Sequence, residues 1–432
     1  MKPNIVMIIV DALRPKDLSL YNARKELDKN IKKIASESIF FKRNFSTADG
    51  SDPSRASIFS GKYPYNFGQI HQYPYIKEDE MVKIKKNRFW LPLYLKNKGY
   101  ATYSVIPLYL WLKKGFDYLQ ESDGTNEGYR KFTRLEPIGK ILLKLPNCIY
   151  KFGKWLVKGF YKNRLNQAKR SIDTAISKIK YTKQPFFMFM HLTDTHHPYD
   201  AAETPRIKGE TTLSKVLENT PSISQKEYIK KRFVDASASS LEQITLKREN
   251  STIAVDKEIG RFYDFLKQKK LLDNTILIIL ADHGDSFGEH NIYFEHTGMY
   301  DVSVHVPLMI RIPKIKPKVI DELTQNIDIA PTILELLGEK KQKMDGKSLI
   351  PLIKKGGKLR DKVFAFEAFC DKSMMVRTKT RKLIVHDETK CYLCGAVHGK
   401  KKEEYDLEKD PNELENIYSG ASVLEKELKK FE

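Results

Sequence analysis

Residues 5–10 (IVMIIV) form a continuous apolar run rich in β-branched side chains, and Asp11 follows at once. Such a run suits a strand buried on both faces of a parallel sheet. It also sets an acidic side chain at the carboxyl end of the strand, the edge at which open α/β sheets bind ligands. The pattern recurs: 101–106 after the helix-like LPLYLKNKGY, 186–192 before TDTHHPY, 275–280 before ADHGD, and 307–312 after a polar loop. Helix-like stretches such as 253–269 lie between them. The alternation predicts an α/β fold built on a large, mostly parallel sheet flanked by helices.

Beyond Gly346 the pattern changes to short alternating strands, as in KVFAFEAF and SMMVRTKTRKLIV. A large α/β domain over 1–345 and a small antiparallel C-terminal subdomain over 346–432 are expected, the latter ending in a helix near 413–431. Within the first unit, 137–170 reads as a basic amphipathic helical insertion. Ile141, Leu145, Ile149, Phe152, Leu156 and Phe160 recur at helical spacing among Lys140, Lys144, Lys151, Lys154, Lys158 and Lys162, and Pro146 kinks or breaks the run. Packing on the domain is the first expectation for 138–165. Peripheral contact with an anionic membrane, through Trp155 and the lysines, is the second.

Lys and Arg total 76 against 55 Asp and Glu, a net charge of +21. An excess of this size attracts anions, but the lysines are spread along the chain and select no specific nucleic acid. Four cysteines are too few for a disulfide framework in 432 residues. Cys391 and Cys394 form a single CxxC, read either as free thiols or as half of a zinc knuckle completed by Cys370, His386 or His398. No apolar run reaches the length of a membrane span, and no cleavage site follows 5–10, so the expected location is the cytoplasm.

Several polar motifs fall at the predicted strand ends. Asp11 either ligates a metal or caps the next helix. In SDPSR, Pro53 suits a first helical turn and Ser51 stands just before it, where free N–H groups and the dipole favour an anion. Arg55 lies one turn on and faces the same side, within reach of nucleophile or substrate charge. The competing reading is an ordinary Ser or Asp N-cap. Asp282 and His283 in ADHGD are placed to ligate one divalent cation, with Gly284 allowing an unusual backbone. Asp194, His196 and His197, and then His290 and His296, form two further clusters, otherwise ordinary loop residues.

Together these motifs resemble the sulfatase family of the alkaline phosphatase superfamily. Ser51-Asp52-Pro53-Ser54-Arg55 fits the family's Cys/Ser-x-Pro-x-Arg nucleophile motif, and ASIFSGKYP flanks it. PNIVMIIVDALRP, ADHGD, VHVPLMIRIP, IDIAPTILELLG and EEYDLEKDPNELENIY match further landmarks, so the likeness runs from Pro3 to about Tyr418. The resemblance implies that Asp11, Asp282, His283 and Ser51 bind one divalent cation (Ca, Mg, Mn or Zn). It implies that Arg55 holds the nucleophile, that His196 contacts the ester and protonates the leaving group, and that His296 stands where many members carry a sulfate-gripping Lys. Ser51 as formylglycine, made by a maturase of the anaerobic type, is the matured form that it implies.

The chain also departs from the family pattern. Ala12 replaces the second of two adjacent Asp residues, and Asp282-His283 replaces Asp-Asn, as in phosphonate monoester hydrolases. The Gly-Lys-x-His segment is missing; Lys113 or Lys114 is read first as a solvated lysine and second as a substitute. The expected activity is hydrolysis of a small anionic sulfate ester. The alternatives are phosphodiester or phosphonate hydrolysis, head-group transfer, or a binding protein without activity. A second metal site from Asp194, His197 and His290 is a minor alternative.

Overall fold

The computed structural model describes residues 2–106, 110–120, 166–220, 222–370, 373–386, 390–395, 397 and 399–431. The expectations placed on 138–165 and on His398 therefore lie outside the described residues. The strands are β1 (Asn4–Val10), β2 (Ile39–Phe45), β3 (Ala101–Val105), β4 (Tyr118–Leu119), β5 (Phe186–Leu192), β6 (Thr275–Leu280), β7 (Ser286–Phe287), β8 (Tyr293–Glu295), β9 (Leu308–Arg311) and β10 (Lys318–Gln325), followed by β11 (Val363–Phe366), β12 (Met374–Arg377), β13 (Arg381–Val385) and β14 (Lys402–Asp406). Eight of them form one sheet in the order β10-β2-β9-β6-β1-β5-β3-β4. β1 pairs in parallel with both β5 and β6, and every residue of all three is buried. That two-sided burial is why these segments read as unbroken apolar runs.

The strand at 308–311 departs from the parallel pattern. β9 runs antiparallel to both neighbours, β6 and β2. β2 and β10, which the apolar pattern leaves unmarked, pair in parallel at the far edge. Both carry exposed polar residues there, such as Lys42 in IFFKRNF and Asp321 in KVIDELTQ.

Helices cover both faces. Those that matter for the site are α1 (Lys29–Ser36), α2 (Ser51–Ser60), α3 (Gln167–Lys180), α4 (Ile223–Asp235) and α5 (Leu241–Gln268). α5 starts well before the expected 253, because the Ser240 side chain accepts a hydrogen bond from Gln243 N–H and caps it there. No helix among the described residues is long and apolar enough to cross a membrane.

The C-terminal strands form a separate antiparallel sheet, β11-β12-β13-β14. The helix expected over 413–431 shrinks to Glu425–Leu428 and a following turn. Glu413 stands at φ 59° with its carboxylate accepting from Asp301 N–H, and Gly420 stands at φ 105°, so the segment before Glu425 cannot stay helical.

Glu403 on β14 makes this subdomain acid-sensitive. Burial pushes its carboxylate up, but His386, the Lys400 N–H and the Tyr300 hydroxyl outweigh it and hold it at about 2. A depressed folded-state value stabilises the fold fully above about pH 5 and is lost as pH falls towards 2, a term on the order of 2–3 kcal/mol. The urea midpoint should fall across that window, and Glu403→Gln should flatten the fall.

Candidate active site

The parallel pairing of β1, β5 and β6 sets the ends of these strands side by side at one edge of the sheet. Asp11 follows β1, His191 is the penultimate residue of β5, and Asp282 and His283 lie just past β6. Helix α2 brings Ser51 to the same edge. Ser51 is the first residue of that helix, and Gly50 is its N-cap with no side-chain capping bond. The N-cap reading of Ser51 or Asp52 therefore does not apply. Gly50 is required by space: a Cβ there would come within 2.5 Å of Ala368 Cβ. Gly284 has the same reason rather than an unusual backbone, since a Cβ there would meet the Val302 carbonyl oxygen at 2.0 Å.

Ser51 Oγ lies 3.1 Å from His283 Nε2. The other ring nitrogen of His283, Nδ1, faces the Gly284 carbonyl oxygen at 2.8 Å and so donates, which leaves the Nε2 lone pair towards the site. That Nε2 is 3.5 Å from Asp11 Oδ1 and 3.7 Å from Asp282 Oδ2. Asp282 and His283 are fully buried and Asp11 nearly so. Burial pushes the Asp282 carboxyl up, yet His283 and His191 outweigh it and hold it well below the usual range. Asp11 is lowered despite its burial and the nearby Asp282, through His196 and His191.

These residues suit a cation. Asp11 Oδ1 and Asp282 Oδ2 are buried and make no hydrogen bond, an arrangement that is costly unless a positive charge meets it. One ligand atom from each of Asp11, Asp282 and His283 lies within 4.8 Å of the others. Two carboxylates and an imidazole form a donor set for a divalent ion.

Arg55 sits on the same side of α2 and is buried. Its Nε donates to the Ser51 carbonyl at 3.2 Å, its Nη2 donates to Asp52, and its Nη1 lies 3.2 Å from His191 Nδ1. His191 is the site residue that the motifs did not mark. A single histidine in the otherwise apolar FFMFMHL was its only signal.

His196 and His296 form a histidine cluster with His283. The His296 ring stacks on His283 with centroids 4.0 Å apart, and the His196 ring is 6.0 Å from His296. Burial, then His283 and His196, press His296 well below its ordinary value, so it enters the site as a neutral ring. His196 Nδ1 is committed to the His197 carbonyl at 2.9 Å, which leaves Nε2 as the ring nitrogen for the site.

The structure does not assemble the remaining candidates. Asp194 accepts from Ala168 N–H at the start of α3. His197 Nδ1 and Nε2 are both engaged by Arg232 of α4, and His290 stacks on Tyr300 at 3.6 Å. The second metal site is thereby dispersed. Lys113 and Lys114 are exposed. Cys370, Cys391 and Cys394 stand outside any disulfide and pack with Ala368 and Phe369, while His386 is drawn to Glu403. Among the described residues, the one cluster suited to hold a metal is Asp11, Asp282 and His283.

A family model described as Sulfatase matches residues 3–339, and one described as N-sulphoglucosamine sulphohydrolase, C-terminal, matches 288–431. The chain is 25% identical to an arylsulfatase of Clostridium perfringens, over 99% of this chain and 92% of that one. It is 24% identical to an N-acetylglucosamine-6-O-sulfatase of Bacteroides thetaiotaomicron, over 99% and 84%. A solved structure in complex with its substrate D-glucosamine-2-N,6-O-disulfate aligns with TM-score 0.68 at 20% identity, over 100% and 96%. The phosphonate monoester hydrolase of Agrobacterium radiobacter aligns with TM-score 0.69 at 19% identity, over 99% and 94%.

Proposed function

The chain belongs to the sulfatase family, and we propose that it hydrolyses a small anionic sulfate ester through Ser51. The observation that carries this reading is the 3.1 Å contact of Ser51 Oγ with His283 Nε2, beside Asp11 Oδ1 and Asp282 Oδ2, two buried carboxylate oxygens that make no hydrogen bond. Asp11, Asp282 and His283 would hold the divalent cation, with Ser51 as a further ligand. The chemistry such an ion supplies is a lowered pKa for the nucleophile and charge compensation at the ester oxygens.

The protein's own groups do the rest. Arg55 fixes the Ser51 backbone and sets a permanent positive charge beside the nucleophile. Neutral His296 offers a hydrogen bond to the anionic group where a lysine would offer a charge. His196 Nε2 gives a proton to the leaving oxygen, a role that suits an imidazole near neutral pH. Ser51 converted to formylglycine by a maturase belongs to the same reading, as does a cytoplasmic location with peripheral membrane contact through 138–165. The amino-sugar sulfates in the names of two similar proteins make a sulfated amino sugar the first natural substrate to assay.

A second reading, phosphodiester or phosphonate hydrolysis, is favoured by one observation: His283, not an amide side chain, stands at the cation site beside Asp282. Parallel assays on matched aryl sulfate, phosphodiester and phosphonate esters separate the two. The expected order places sulfate first in kcat/KM. A higher kcat/KM on the phosphonate or phosphodiester would select the second reading instead.

A further inference from the structure

The proposed chemistry leaves His191 without a task, although the residue lies among its central groups. His191 is 1% exposed. Its Nδ1 is 3.2 Å from Arg55 Nη1, and its Nε2 is 3.4 Å from Asp11 Oδ2 and 3.4 Å from Asp282 Oδ2. A guanidinium has only donors and keeps its proton, so His191 Nδ1 accepts. In the neutral ring the proton then sits on Nε2, which faces both carboxylates. His283 has the opposite tautomer, with Nδ1–H on the Gly284 carbonyl and the Nε2 lone pair turned inward. One histidine thus offers the cluster a lone pair and the other offers it an N–H.

We infer that His191 is a positioning residue: it accepts from Arg55 and sets its Nε2–H against Asp11 and Asp282, 3.4 Å from an oxygen of each, placing the arginine beside the nucleophile and the cation-binding carboxylates around one ring. The inference rests on the reading that Asp11, Asp282 and His283 hold a cation. Direct ligation by His191 Nε2 would need the proton on Nδ1, where it would face the Arg55 donor inside the protein with no acceptor between them. Hydrogen-bonding groups behind metal ligands orient them and typically contribute 10–100-fold to ion affinity.

The test is titration of the full-length chain with Mn²⁺, read by the electron paramagnetic resonance signal of free ion, in wild type, His191→Ala and His191→Gln. Glutamine carries its carbonyl oxygen and its N–H on one carbon, as imidazole carries its two nitrogens, so it can accept from Arg55 and donate to the carboxylates at once. Roughly 10–100-fold weaker binding is expected in His191→Ala, with His191→Gln restored to near wild type. Equal loss in both variants would make His191 a ligand and overturn the inference, as would unchanged affinity in His191→Ala. If His191→Ala does not fold, His191→Gln decides alone: near-wild-type affinity supports positioning, and a large loss overturns it. A wild-type chain that binds no Mn²⁺ would overturn the cation reading itself, an outcome distinct from either of these.

Discussion

Ser51→Ala is expected to lower kcat on a sulfate ester by roughly 10⁴–10⁶-fold, the scale on which removal of a nucleophile acts when its partners function as a unit. The loss is expected without unfolding. Ser51 is partly exposed, opens α2 and caps nothing, and its Oγ contact with His283 contributes about 1 kcal/mol. The melting temperature should therefore stay close to that of wild type while turnover disappears. Steady-state kinetics beside a thermal melt, on protein purified from its native host so that any maturation of Ser51 is complete, checks both halves. Full activity in Ser51→Ala would refute the proposed nucleophile.

The second large effect is expected for Asp282→Ala. Asp282 is fully buried, and its Oδ2 is 3.7 Å from His283 Nε2 and 3.4 Å from His191 Nε2. Its Oδ1 faces the Ala12 and His283 backbone N–H groups at 3.4 Å and 3.1 Å. Removing it takes away a cation-binding oxygen and the acceptor that orders the Ala12 and His283 backbones together. Ion affinity should drop by at least about 100-fold, the upper end of what disturbing a supporting residue costs. Activity should fall with it and recover only in part at high ion concentration. Isothermal titration beside kcat/KM at rising ion concentration measures both.

The features legible in the sequence were those that one segment carries alone. β1, β5 and β6 could be read because two-sided burial leaves unbroken apolar runs, and Asp11, Asp282 and Ser51 follow from their places at strand ends and in SDPSR. Features that depend on a partner were not legible. The antiparallel direction of β9 is set by its pairing with β2 and β6. Strands β2 and β10, the outermost pair at one side of the sheet, carry exposed charge that breaks the apolar pattern. His191 gains its meaning from Arg55, Asp11 and Asp282, which lie far away in the chain. His197 and His290 stand in the sequence as candidates for a second metal site, and it is Arg232 and Tyr300, distant in the chain, that engage them instead.

The claim that Ser51 works beside a cation held by Asp11, Asp282 and His283 is tested most directly by following aryl sulfate turnover through chelation. The chain is assayed as purified, after removal of divalent ions, and after their return, with Ser51→Ala carried through the same steps. Turnover is expected to vanish on chelation and to return with the ion in wild type, while Ser51→Ala stays inactive throughout. Turnover that survives complete removal of divalent ions, or that Ser51→Ala regains with them, would contradict the claim.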